Sequence, residues 1–515
     1  MWIRKSGWIS FVFVLAVCVR IETLALELGS PFSEHMVLQR EKPVFVWGWG
    51  EIGERVKVSV AGKSANTKVG SDGRWKITLP ELPAGGPYVF HAKSGSSVIE
   101  FSDVLVGEVW ICSGQSNMQM GYNRLDDYET LIAQAEDLPI RSLEVARSVR
   151  FAPQERFSGN WVVEPCKSAV GFAFALKLQQ ALGVPIGIIE ASWGSSSIEG
   201  WLPVSLAERL PHFNREMKAF EKYDREETKR LIIRDEEGET RIREDDIYMR
   251  TRPNILYNAM MYPIAPYAVR GLVWYQGEAN TGSLATMRQY GETLPLWCQH
   301  LRELWGRDDF NFLAVMLPRY GRVSPDSPTE SVSAPDAYSW AWFREAQQQL
   351  LELPGTGVAN TIDLGDKKDI HPVDKEPIGS RLALLAQRQI HGMDVEASGP
   401  VFEKMVREGG NRLRLYFKHA GGLSTSDGKA PREFWVAGPE RQWQPAKAQV
   451  EGETVVLRWE GYLNPNAVRY AFSGFPEVNV VNKAGLPAIP FRTDLDEPEG
   501  YNDPPLLVAD KHRRK

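Results

Sequence analysis

The sequence predicts an α/β chain, a mainly parallel sheet with helices on both faces, set between two β-rich units. Three observations predict it. Short apolar runs alternate with segments of helical period through the middle of the chain. Shorter alternating runs, broken by Gly, Asp, Ser and Pro, fill both flanks. The polar, glycine-bearing turns that look capable of chemistry fall after the apolar runs of the middle part, where an open α/β sheet places its sites.

The first element is not part of the fold. Residues 1–25 carry Arg4 and Lys5, then an apolar run from Trp8 to Val19, then Thr23 and Ala25 spaced for cleavage. This reads as a secretory signal cut near Ala25, too short to span a bilayer, so a secreted or periplasmic protein without a membrane span is expected. A lipid anchor on Cys18 is the weaker alternative, because Val17 stands where a small residue is needed. Loss of Arg4, Lys5, Arg20 and Glu22 takes the formal net charge from −6 to −8. An acidic chain of this kind is a poor nucleic-acid binder. The three remaining cysteines, Cys112, Cys166 and Cys298, form neither a disulfide framework nor a paired zinc motif, and buried thiols with at most one bridge are expected.

Residues 26–103 ("KPVFVWGWG", "RVKVSVAG", "RWKITLPEL", "YVFHAKSG") have the strand-and-turn spacing of an antiparallel sandwich. Residues 104–399 then supply "DVLVGEVWIC", "IRSLEVA", "VPIGIIEASWG", "VRGLVWYQGE", "FNFLAVMLP" and "TGVANTIDLG" as strands. Between them lie "AVGFAFALKLQQALG", "TLPLWCQHLRELWG", "AWFREAQQQLLELPG" and "IGSRLALLAQRQIHG" as helices. Parallel strands need such crossovers, which cover both faces of the sheet. Residues 205–250 interrupt the alternation with a highly charged stretch, expected as an exposed helical insertion. Strand texture returns over 400–491 in a second β-rich unit, and 492–515 reads as a tail.

Four turns carry the candidate chemistry. In "VGEVWICSGQSNMQMG", Ser116 follows a buried strand and sits beside helix-terminal N–H groups, although Met118 breaks the G-x-S-x-G elbow of α/β-hydrolases. His371, one of eight histidines, follows the last strand in "TIDLGDKKDIHPVDK". Imidazole is the side chain tuned to take a serine proton near neutral pH, and a carboxylate such as Asp369 can orient it. "SWGSSSIEGW" and "WYQGEAN" supply Gly194, Gln276 and the Ser116 N–H as donors for an oxyanion. With no second histidine nearby, a metal site is not expected at His371.

The blocks "GEVWICSGQSNMQM", "PIGIIEASWGSSSIEGW", "PNILYNAMMYPIAPYAVRGLVWYQGEAN" and "TIDLGDKKDIHPVDK" resemble, in order, those of the sialate O-acetylesterase family of SGNH-type hydrolases, over about residues 27–490. The resemblance implies a flavodoxin-like SGNH hydrolase domain with a helical insertion, flanked by β-sandwich-like domains. It implies Ser116 as nucleophile, His371 as base, and Ser116, Gly194 and Gln276 as the oxyanion hole, with no metal or organic cofactor. Ser195 stands where relatives often have a second glycine, Met316 where glutamine is frequent, and Lys368 where the SGNH acid usually stands. Asp369 is therefore the chosen acid, with a dyad oriented by a backbone carbonyl as the alternative.

The expected reaction is release of acetate from an O-acetylated carbohydrate, most specifically sialic acid, with acetylated xylan or pectin as the rival substrate. A glycan-binding protein without turnover is the rival of another class, and a lipid esterase is disfavoured by the charged insertion. Arg270 and Arg319 are candidates for a substrate carboxylate. Trp193, Trp201 and Trp274 are candidates for stacking on a sugar. Glu278 and Asn280 are further candidates to face the substrate.

Overall fold

The computed structural model describes residues 25–125, 128–236, 250–321, 334–335, 339–461 and 464–496. The expected signal and most of the tail lie outside these residues. Only the strands and helices of the central layer are numbered below.

The longest strand explains how the first two parts of the chain join. β1 (Ser97–Gly114) alternates between half-buried and exposed over "SVIEFSD" and is buried without interruption from Val104 onward. Its first half pairs antiparallel with Gly85–Ser94, in a sheet that also holds Arg55–Val60 and Lys63–Lys68. Its second half is the middle of a parallel sheet, with β2 (Ile140–Glu144), β3 (Ile186–Ser192), β4 (Gly271–Tyr275), β5 (Asn311–Val315) and β6 (Thr356–Ala359). The change from alternating to continuous burial follows the change from a sheet covered on one face to one covered on both. The expected division at 103/104 thus falls within one continuous strand.

The parallel strands lie in the order 2-3-1-4-5-6, and Trp161–Val162 adds an antiparallel edge beyond β2. Without the edge strand β2, the remaining five have the flavodoxin order 2-1-3-4-5. The chain leaves β1 for β2, returns to β3 on the same side, and later crosses to β4 on the other, so the switch point lies beside β1. Its carboxyl end is where a crevice is expected, and Ser116 follows that end.

Helices cover both faces, as the sequence pattern predicts. Cys112 and Trp110 point to the side of α1 (Ala169–Leu182), where Trp110 meets Phe174 edge to face with centroids 5.3 Å apart. Ser113 alternates to the other side with its register partner Trp274, which packs on Trp297 of α2 (Leu284–Trp305). α3 (Trp340–Gln348) packs on α2, and α4 (Glu376–Gln389) packs on α1. A Cβ at Gly379 of α4 would stand 2.5 Å from that of Ala173, so glycine allows the two helices their close approach. α2 begins at a Ser283 capping box, nine residues before the expected "TLPLWC" start, and runs through Pro295 to Gly306 in the left-handed region.

The described part of the 205–250 stretch is helical, including Pro211–Ala219 and Arg225–Glu236. It is less exposed than its charge suggests. Phe213 and Phe220 enter the main core, and Asp224 forms a fully buried ion pair with Arg252. Beyond α4, two four-stranded antiparallel sheets enclose a second core that includes Leu415, Phe417, Val455, Leu457, Val468 and Tyr470. Cys112, Cys166 and Cys298 are buried and unpaired. No helix among the described residues is long and apolar enough to cross a membrane.

Candidate active site

The turn that carries Ser116 is forced by close approach. Gly114 ends β1 with φ 142°, and a Cβ there would stand 2.0 Å from the Tyr275 carbonyl oxygen. Gln115 N–H donates to that same carbonyl at 3.0 Å, and one helical turn, Ser116–Gln119, follows. The turn presents the Ser116 hydroxyl to the loop after β6. There His371 Nε2 lies 2.8 Å from Ser116 Oγ, although 255 positions separate the two residues. This is the contact a proton transfer between them needs.

Burial pushes the imidazole below its ordinary value; Asp369 opposes this, while the charges of Lys375 and Arg124 add to it. The ring is thereby favoured in its neutral, proton-accepting form. Asp369 does not hold it closely. Its Oδ1 accepts the main-chain N–H of His371 at 2.8 Å but stands 3.9 Å from Nδ1, with 65% of its side chain exposed. Among the described residues no carbonyl takes a hydrogen bond from Nδ1 either. Asp366 shapes the loop by accepting N–H groups from Lys368 and Asp369 at 2.6 and 2.8 Å.

Three carboxamides around Ser116 do the positioning, and the sequence reading gave none of them a part in the chemistry. Gln115 Oε1 accepts from Gln276 Nε2, Gly277 N and Ala279 N at 3.1 to 3.2 Å, tying the loop after β4 to the turn. Asn117 donates through Nδ2 to Glu278 Oε1 at 2.5 Å and to the Ile370 carbonyl at 3.0 Å, and accepts from Lys375 Nζ at 2.6 Å. One side chain therefore joins the turn, the β4 loop and the histidine loop. Gln119 Oε1 accepts the N–H of Gly194 at 2.7 Å. The available signal was the run Gln115, Asn117, Gln119, with polar amides on both sides of a serine after an apolar strand.

Burial pushes Lys375 down to about 8, against the opposing pull of Glu278, and pushes the Glu278 carboxyl up, offset only in part by Asn117 and Lys375. Glu278 Oε2 has no partner among the described residues. Glu278 is thus a buried support beneath Asn117, and not a residue open to substrate.

Several other expectations are corrected. Both hydrogens of the fully buried Gln276 amide face protein acceptors, Gln115 Oε1 and the Ser196 carbonyl at 3.1 Å and Asn280 Oδ1 at 2.9 Å. It braces the site and has no hydrogen left for an oxyanion. Asn280 is spent likewise, donating to Glu199 at 3.0 and 3.1 Å. Trp274 and Trp201 are fully buried, packed edge to face at 6.0 Å, with Trp274 at the end of β4 turned under α2 against Trp297 and Trp201 in the turn Ile198–Trp201 covering it. Arg270 precedes β4, at the opposite edge of the sheet, where it grips Glu108 through two bonds of 2.7 Å. Arg319 donates to the Pro476 carbonyl at 3.2 Å and lies 4.5 Å over the Phe475 ring, turned toward the C-terminal unit.

Gly194 lies beside Ser116: a Cβ there would come within 3.3 Å of Ser116 Cβ. Ser195 adopts φ 62°, the left-handed conformation a glycine takes at less cost. Trp193 is almost wholly buried, with the Arg250 guanidinium 5.7 Å from its ring centre. Met316 is fully buried in the core. Ser116, Gln119, Met120, Gly121, Arg124 and His371 line an open depression of about 350 Å³. No group of three or more His, Cys, Asp or Glu placed to hold a metal occurs among the described residues.

A serine and a histidine in contact at the carboxyl end of this sheet suit acyl transfer, and comparison with known proteins agrees. The profile of the family described as carbohydrate esterase, sialic acid-specific acetylesterase matches residues 106–384, more than half of the chain. The chain belongs to that family. It is a carbohydrate O-acetylesterase, a carboxylic ester hydrolase. The family match contains Ser116, Gly194, Gln276 and His371. A solved carbohydrate acetylesterase from Xanthomonas citri is 32% identical, covers 92% of this chain and all of its own, and superposes with a TM-score of 0.78. Sialate O-acetylesterase from Homo sapiens is 27% identical over 92% of this chain and 90% of its own length. That from Mus musculus is 27% identical over 90% and 93%.

Proposed function

We propose that this acetylesterase acts on O-acetylated sialic acids through a serine acyl-enzyme, with Ser116 as nucleophile and His371 as base. The 2.8 Å contact between Ser116 Oγ and His371 Nε2 carries the reading of mechanism. The names of the human and mouse relatives support the substrate. His371 takes the hydroxyl proton as Oγ bonds to the acetyl carbon. The carbonyl oxygen, now negative, lies against the N–H of Ser116 and of Gly194, where it replaces Gln119 Oε1. The ester C–O bond then breaks as His371 returns the proton to the sugar oxygen. Water, activated by the same histidine, attacks the acetyl-serine, releasing acetate and restoring the hydroxyl. Asp369, at 3.9 Å, steadies the imidazolium through space.

The same reading takes 1–25 as an export signal and the mature chain as three units, 26–103, 104–399 and 400–491, the 205–250 stretch being an insertion in the second. Replacing Ser116 by Ala is expected to lower acetate release from O-acetyl-N-acetylneuraminic acid about a thousandfold or more, with an unchanged unfolding midpoint. Near wild-type turnover in that variant would disprove the mechanism. Faster acetate release by the wild type from acetylxylan than from the sialic acid would disprove the substrate.

A further inference from the structure

The substrate proposed above is an acid, and neither arginine singled out in the sequence for its carboxylate lines the depression beside Ser116: Arg270 is bound to Glu108, and Arg319 is turned to the Pro476 carbonyl and the Phe475 ring. A third arginine stands at the site. Arg124 ends the short 3-10 turn Tyr122–Arg124, which follows the nucleophile turn by two residues. It lines the same depression as Ser116 and His371.

Its backbone is held firmly. Tyr122 N–H donates to the Lys167 carbonyl at 2.9 Å, Arg124 N–H to the Gly121 carbonyl at 3.1 Å, and the Tyr122 ring packs 5.4 Å from that of Phe172 in α1. Its guanidinium is exposed and has neither a hydrogen bond nor an ion pair among the described residues. Lys375, the other cation that acts on His371, is buried and bonded to Asn117. Arg124 is therefore the cation available to a solute in the depression, whose remaining lining is a hydroxyl, an imidazole, a carboxamide, a thioether and a glycine. A planar guanidinium with several free N–H groups suits a carboxylate in bidentate fashion.

We propose that Arg124 binds the carboxylate of the sugar acid whose acetyl group is attacked by Ser116. The assignment rests on the sialic-acid reading above and adds to it the group that selects an acidic over a neutral sugar. The test compares acetate release from O-acetyl-N-acetylneuraminic acid and from its methyl ester, which keeps the sugar and removes the charge. The wild type is expected to favour the free acid in kcat/KM by about tenfold or more, the size of a charged hydrogen-bonded contact. In Arg124→Gln the ratio is expected to fall to near one through a rise in KM for the acid. Arg124→Lys is expected to lie between, retaining charge without the planar fork.

An acid-to-ester ratio that is the same in Arg124→Gln as in the wild type overturns the assignment and leaves the sialic-acid reading standing. So does a wild-type ratio near one. A wild type that releases acetate from p-nitrophenyl acetate but from neither sialic acid derivative overturns the substrate reading, and the assignment with it. Unfolding midpoints of the variants report whether they fold.

Discussion

Glu108 and Glu278 are both buried, at opposite edges of the same parallel sheet, and they are treated differently. At the amino edge, burial by itself would raise the Glu108 carboxyl, but Arg270 and Arg40 hold it below the usual carboxylate range. Each of its oxygens is bonded, to Arg40 Nε at 2.6 Å and to Arg270 Nε and Nη2 at 2.7 Å. At the carboxyl edge, Glu278 has a neutral carboxamide on one oxygen and no partner on the other among the described residues, and burial leaves its carboxyl raised. A fully paired carboxylate fixes strands together. One left short of partners is costly to bury, and such groups cluster where chemistry is done. The comparison separates a structural edge from a functional edge without reference to sequence motifs.

The largest effect expected from breaking this contrast is on stability. Glu108→Ala leaves two guanidinium groups facing each other without their carboxylate, and removing one partner of a buried pair costs about 3–5 kcal/mol. The unfolding midpoint in urea should drop accordingly, while kcat of the folded fraction stays within a few-fold of wild type. A midpoint unchanged by Glu108→Ala would remove the structural role assigned to the amino edge.

At the functional edge the largest effect after Ser116 is expected from Asn117. Asn117→Ala releases Ile370, which precedes the proposed base His371, together with Glu278 and Lys375. Displacement of His371 by a fraction of an ångström should lower kcat about tenfold to a hundredfold with little change in KM. A rise in KM at unchanged kcat would show that Asn117 serves binding and not alignment of the base.

These two edges also show what could be read before the fold was known. The six strands were legible because each contains a short, mainly apolar run, and the proposed nucleophile and base because Ser116 and His371 stand in polar turns after such runs. Which partner each polar residue would meet was not legible. Arg270 and Gln276 lie only six positions apart, yet β4 separates them, one bound to Glu108 at the amino edge and the other to Gln115 at the carboxyl edge. Trp274, at a strand end, was a candidate for stacking on a sugar, but period-two alternation turned it under α2. The bonds of Gln115, Asn117 and Gln119 were not legible because they run to residues 75 to 258 positions away, a separation that local pattern does not encode.

A smaller effect, on pH dependence, sharpens the same comparison. The Lys375 charge, retained up to about pH 8, lowers the proton affinity of His371. Burial lowers it first and this charge adds to that, so the acidic limb of kcat/KM, which reports protonation of the proposed base, should lie below the ordinary imidazole value. Lys375→Gln keeps a donor for Asn117 but removes the charge, and the limb should move to higher pH. A limb that stays in place would mean that the charge of Lys375 does not reach His371.

Asp369→Asn is expected to have the smallest effect. The side chain of Asp369 is mostly exposed and stands 3.9 Å from Nδ1, so solvent screens much of its attraction for the imidazolium. It raises the proton affinity of His371, so its removal should move the acidic limb to lower pH, opposite to Lys375→Gln. The carboxamide oxygen introduced by the substitution can still accept the main-chain N–H that Asp369 Oδ1 now takes at 2.8 Å, which preserves the loop. The expected loss in kcat is below about tenfold, far short of the roughly ten-thousandfold loss when a closely bonded triad aspartate is replaced by asparagine. A loss approaching that larger figure would show that Asp369 closes onto Nδ1 during turnover, and that the soft side of the site is the histidine loop.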